Sequence, residues 1–182
     1  MIYCKPLAEL HFIDKKKYLV IDPGVKNLSV CHNDTVYLFH FDDVYELFSD
    51  YNFNKFLTYL KKQEHVLYLV CENQISRTNI LVQGLLCGYL YSKLNVVGFC
   101  WFAPSLKKKF TMKNFSFNYI KVKSNKQYLR QPMEFQNYLH KWNLIEIKKT
   151  NQFKLNFENY KNVKKKDDFI DCIIISSYLK LI

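Results

Sequence analysis

Short runs of almost unbroken apolar character, at residues 18–22, 66–71 and 95–102, alternate with segments of helical period, and this alternation restricts the chain more than any other feature. Strands buried on both faces and separated by helices lie parallel, joined by right-handed crossovers. Residues 28–32 and 35–41 read as two further strands, with Asn33-Asp34 as the turn of a hairpin between them. An antiparallel front followed by strand-helix units predicts an α/β mixed sheet flanked by helices. The spacing of Val44, Leu47, Phe48, Phe56, Leu57 and Leu60 predicts helix over 43–62, interrupted near 49–52, with Asp42, Asp43 and Glu46 at its start. Ser76 is placed to cap a helix running to about Lys93, in which Gly84 and Gly88 offer a small-residue face for close packing. Residues 126–142 look helical. The segment from Lys166 onward reads as a buried helix, although Ile173-Ile174-Ile175 keeps a strand open.

A chain of 182 residues suits one domain with a sizeable core, and no repeat or linker divides residues 1–182. Residues 1–17 match neither a signal peptide nor a transit peptide, and no apolar run approaches a membrane span, so a soluble cytoplasmic protein is expected. The six cysteines are scattered through apolar runs without zinc-ligand spacing, which points to buried free thiols in a reducing compartment.

The formal net charge is +11, and its placement says more than its size. No Asp or Glu occurs between Glu72 and Glu134, while Arg77, Lys93, Lys107, Lys108, Lys109, Lys113, Lys121, Lys123, Lys126 and Arg130 do. Phe110, Phe115, Phe117, Tyr119 and Tyr128 are interleaved with them. A surface of one sign with aromatics among its charges suits a phosphate backbone, and 105–127 is the expected binding stretch. Taken alone, Lys107-Lys108-Lys109 is an ordinary solvated run.

Two of the apolar strands end on carboxylates, Asp22 and Glu72, at the edge where open sheets place their sites. Asp22 precedes Pro23-Gly24, so it can also simply open a turn. In "KKKDDFIDCIII", Asp168 and Asp171 stand three apart on one helix face among apolar neighbours. Four acids meeting at one point repel unless cations lie between them, and oxygen-only ligands suit Mg²⁺ or Mn²⁺. Two such ions about 3.5–4 Å apart drive in-line displacement at phosphorus.

The set "IDPGVKNLSV", "LVCENQ" and "KKKDDFIDCIII" resembles the RuvC-type branch of the ribonuclease-H-like nucleases, and most of all the Holliday-junction resolvases of poxviruses and related large DNA viruses. Asp22, Gly24, Lys26 and Asn27 match the family's first strand and its Gly-x-Lys-Asn turn. Glu72 and Gln74 match the end of its fourth strand, and Asp167, Asp168 and Asp171 match its last helix. Between Asp167 and Asp168, the spacing selects Asp168 as ligand. "VQGLL" at residues 82–86 is similar to the viral members' following helix. Residues 1–17 have no counterpart.

The resemblance implies a ribonuclease-H-like sheet, with a three-strand front meander and βαβ units behind it. It implies a homodimeric, Mg²⁺-dependent endonuclease that holds two ions on Asp22, Glu72, Asp168 and Asp171, with Mn²⁺ able to substitute. The substrate implied is a four-way DNA junction, gripped by Lys26, Asn27, Arg77, Lys107, Lys108, Lys109, Lys123 and Lys126 and nicked symmetrically. Phe110 or Tyr128 would stack on unpaired bases. Hybrid- or flap-cutting relatives and a non-catalytic nucleic-acid-binding module stay open. An actin-like kinase fits poorly, because glycine occurs only at 24, 84, 88 and 98 and none builds a second phosphate loop.

Overall fold

The computed structural model describes residues 18–64, 66–74, 76–119, 125–148, 151–155 and 166–181. Residues 1–17, and Lys121 and Lys123 of the basic stretch, lie outside them.

The chain opens with β1 (Tyr18–Pro23), β2 (Asn27–His32) and β3 (Thr35–His40), an antiparallel meander. Asn33 and Asp34 both take positive φ, 46° and 60°, as a tight hairpin turn requires. Asp22 pairs with Ser29 inside the ladder, so it is a strand residue and the turn begins after it. At that turn a Cβ on Gly24 would stand 3.1 Å from the Asn27 carbonyl oxygen, a close approach that suits glycine.

Two helices follow, α1 (Val44–Ser49) and α2 (Tyr51–Gln63). The expected interruption is a cap shared by both: Asp50 ends α1, and its carboxylate accepts the Phe53 N–H at 2.7 Å to start α2. Then come β4 (Leu67–Glu72), α3 (Arg77–Lys93) capped by Ser76, and β5 (Val96–Phe102). β4 is parallel to β1 and β5 is parallel to β4.

Beyond β5 the structure departs from expectation. The basic stretch begins as a helix, α4 (Ser105–Phe115). The helix expected over 126–142 is two short ones, α5 (Asn125–Leu129) and α6 (Met133–Leu139), because Pro132 cannot continue the first. Two unforeseen strands follow, β6 (Asn143–Lys148) parallel to β3 and β7 (Asn151–Leu155) antiparallel to β6. The last element is a helix, α7 (Lys166–Leu181), which settles the helix-or-strand question at Ile173–Ile175.

The sheet order is β5-β4-β1-β2-β3-β6-β7, a mixed sheet with helices on both faces, as the α/β reading expects. Side-chain alternation divides the core. Leu19, Ile21, Leu69 and Cys71 pack under α1, α2 and α3, while Tyr18, Val20 and Val70 face α4, α6 and α7. Asp22 and Glu72 share the parity of Val20 and Val70, so both belong to the α7 face.

Gly84 and Gly88 are exposed, and a Cβ on either would meet nothing within 4 Å, so no close packing uses them in this chain. The five described cysteines, Cys31, Cys71, Cys87, Cys100 and Cys172, are buried free thiols as expected. Among the described residues no helix is long and apolar enough to cross a membrane.

Candidate metal centre

β1 and β4 are adjacent parallel strands from which the chain continues in opposite directions, to β2 on one side and to β5 on the other. Such a reversal opens a crevice at the strands' carboxyl ends. The register pairs Ile21 with Cys71, and the same offset sets Asp22 beside Glu72 at that crevice. α7 crosses β1, β2 and β3 on this face and brings Asp171 to the same place. One carboxylate oxygen from each of Asp22, Glu72 and Asp171 lies within 4.8 Å of the others, close enough to hold one metal ion.

All three acids are buried, and Asp171 is wholly so. Burial holds the Asp22 carboxyl well above the usual carboxylate range, and the charges of Glu72, Asp171 and Asp168 push it further the same way. Directly across the ladder from Asp22, the buried Ser29 hydroxyl has no hydrogen-bond partner among the described residues. Hard oxygen donors crowded together at this cost fit a divalent cation.

Neighbouring side chains hold the ligands. Gln74 donates to Asp22 Oδ1 at 3.1 Å and accepts from Asn79 at 3.0 Å, which ties the strand-end acid to the first turn of α3. Gln83, the Gln of "VQGLL", is buried and donates to the Glu72 carbonyl oxygen at 3.0 Å, fixing the end of β4. The Tyr119 hydroxyl donates to Asp171 Oδ1 at 2.6 Å.

The fourth acid, Asp168, stands one step outside this triad. It is partly buried, and its charge still raises the Asp22 carboxyl. Asp167 is buried on the preceding position of α7.

Several residues expected at the DNA surface are elsewhere. Lys107 is 6% exposed, with Nζ 2.6 Å from Glu72 Oε1 and 2.7 Å from Asp171 Oδ2. The carboxylates outweigh burial and hold its ammonium above the usual lysine value. Asn27 is buried at the start of β2, with Oδ1 2.6 Å from His40 Nδ1, and so is not a surface contact. Phe110 and Tyr128 are core residues and cannot stack on bases. Phe110 packs against Phe115 and Tyr138, and the Tyr128 hydroxyl meets His140 Nε2. Lys26, Arg77, Lys108 and Lys109 are exposed. Lys126 lies in α5.

Two residues that touch the carboxylates themselves were not expected there: Lys107, which the sequence placed on the surface, and Tyr119. A signal for Lys107 was present: Lys107, Phe110 and Thr111 follow helical i, i+3, i+4 spacing and are the buried face of α4. Tyr119 carried no such signal. It reaches Asp171 because Ser116 reverses the chain in a left-handed conformation at φ 55°, and the Tyr119 N–H bonds back to Thr111.

No family model and no characterised protein matches the sequence. Among solved structures, the manganese-soaked nuclease domain of the human cytomegalovirus terminase is similar over 99% of this chain and 89% of that one, at 12% identity and a TM-score of 0.43.

Proposed function

We propose that this protein is a divalent-metal-dependent endonuclease that resolves four-way DNA junctions by paired symmetric nicks. The observation that carries the metal-dependent chemistry is the convergence of Asp22, Glu72 and Asp171 from β1, β4 and α7 in one buried pocket. A bound Mg²⁺ or Mn²⁺ pair supplies an activated water and stabilises the leaving oxygen at phosphorus. Asp22, Glu72 and Asp171 would hold it, with Asp168 completing the shell on the α7 side. Gln74, Gln83 and Tyr119 fix the donors, so little reorganisation is left for the reaction.

The four-way junction as substrate is inferred from the resemblance carried by the strand-end and last-helix motifs. Selection is by shape and deformability, with exposed Lys108, Lys109, Arg77 and Lys26 engaging phosphates. Symmetric nicking needs two copies about a two-fold axis, matching the junction's own symmetry. The exposed apolar row of Ile80, Leu81, Leu85 and Tyr91 on α3 is the face offered to a second copy.

The test is a labelled mobile four-way junction beside duplex, RNA–DNA hybrid and flap controls, in Mg²⁺, Mn²⁺ or EDTA. Metal-dependent symmetric nicks yielding ligatable duplexes are expected. Asp22→Asn and Glu72→Gln should each lose more activity than the roughly 100-fold that an outer-shell partner carries, while junction binding persists. Cleavage confined to the hybrid would move the substrate. Tight binding without cleavage in any metal would leave a binding module.

A further inference from the structure

Helical phase turns one lysine of the Lys107-Lys108-Lys109 run inward. An ammonium buried to 6% exposure needs anionic partners, and Lys107 has two, Glu72 at 2.6 Å and Asp171 at 2.7 Å. Both are members of the carboxylate triad, so the ammonium sits on oxygens that a metal ion needs. Asp171 cannot readily turn to offer its other oxygen, because Oδ1 receives the Tyr119 hydroxyl at 2.6 Å. Of the two groups holding Asp171, Tyr119 is a rigid buried ring, whereas Lys107 ends a flexible four-carbon stem. Three carboxylates face this one ammonium, so the site keeps acid groups in excess for a divalent ion to neutralise.

We propose that Lys107 is the resident counter-cation of this site, and that a divalent ion entering between Glu72 and Asp171 displaces its ammonium toward the pocket mouth. Lys107 thereby sets the metal affinity of the site, and the displaced charge faces the incoming phosphate. The inference rests on the reading of the triad as a metal centre. It has a consequence opposite in sign to that of a structural strut. A strut holds the carboxylates in place, so its loss weakens metal binding. A competing cation excludes metal, so its loss strengthens binding.

The experiment is Mn²⁺ titration of the full chain, read by calorimetry and by the loss of the free-ion electron paramagnetic resonance signal. Wild type, Lys107→Met and Lys107→Arg are compared without DNA. Lys107→Met, which keeps the stem and removes the charge, should bind the first ion about tenfold more tightly or better, with a larger Mn²⁺-induced rise in Tm. Lys107→Arg should stay near wild type. Unchanged or weaker binding by Lys107→Met would overturn the proposal.

Should Lys107→Met fail to fold, the unaltered protein decides. Lysine acetylation followed by mass spectrometry should find Lys107 protected without metal and modified in Mn²⁺ at a rate approaching that of Lys108 and Lys109. Persistent protection with Mn²⁺ bound would overturn the displacement while sparing the metal centre. Failure of every form to bind Mn²⁺ would overturn both.

Discussion

At the residue scale, the site is set by how far each acid's surroundings tolerate its charge. Asp22 is the extreme case, buried beside other carboxylates with a neutral donor, Gln74, on Oδ1. That donor is itself aimed by Asn79. Gln74→Ala should therefore weaken Mn²⁺ binding by about 10- to 100-fold, the usual range for an outer-shell partner, and Asn79→Ala should do so less, both read by the same titration. Equal binding by Gln74→Ala and the parent would remove Gln74 from the site. The acids were legible in the sequence because an apolar strand that ends on a carboxylate is costly without a reason, and two did so. Lys107 was not legible in the same way. A run of three lysines carries a strong local signal for solvent, and which member turns inward is decided by the phase of a helix that the charge run conceals.

At the scale of elements, the strands that position the site were the easiest to read, since β1, β4 and β5 are short and almost wholly apolar. β6 and β7 were missed for the converse reason. "NLIEIK" contains only a few apolar residues, and its Glu146 is buried through a partner far along the chain, His40 Nε2 at 2.7 Å. α4 was hidden by the mixture of lysines and aromatics that suggested a nucleic-acid surface. Its lysines 108, 109 and 113 do face outward, but the aromatics among them build the core. A similar long-range pair joins β2 to the end of α2, where His32 Nε2 lies 3.2 Å from Glu64. Burial lowers the His32 pKa, outweighing the carboxylate that pulls it upward. A histidine with a lowered folded pKa binds fewer protons folded than unfolded. Its contribution is thus complete above about pH 6.5 and is lost as pH falls through that value toward the lowered one, by up to about 1.4 kcal/mol per pH unit. Thermal unfolding between pH 7.5 and 5 should show this decline, and His32→Gln should flatten it. An identical decline in the variant would assign the loss to other groups.

At the scale of the whole molecule, the sheet divides the protein into two faces that share the net charge but not the chemistry. Asp22, Glu72 and Asp171 open on the α4–α7 side, whereas α2, with exposed Lys61 and Lys62, covers the opposite side. If net charge alone drew nucleic acid to this protein, lysines on either face would contribute alike. If the site side receives the substrate, the α4 lysines should matter and the α2 lysines should not, because α4 holds Lys107 against the carboxylates while presenting Lys108 and Lys109 outward. Removing one lysine that neutralises a phosphate reduces the slope of log K against log salt by about 0.9 on duplex arms. Lys108→Ala with Lys109→Ala should therefore flatten the salt dependence of junction binding by up to roughly twice that amount, equally for junctions of different sequence. Lys61→Ala with Lys62→Ala should leave the slope where it was. Fluorescence anisotropy between about 50 and 200 mM salt resolves such a difference, since several neutralised phosphates shift affinity by orders of magnitude over that range. Equal flattening by the two pairs would mean that the charge acts as a diffuse field and that α4 does not direct DNA to the carboxylates. A change confined to the α4 pair would tie the basic surface to the metal centre through a single helix.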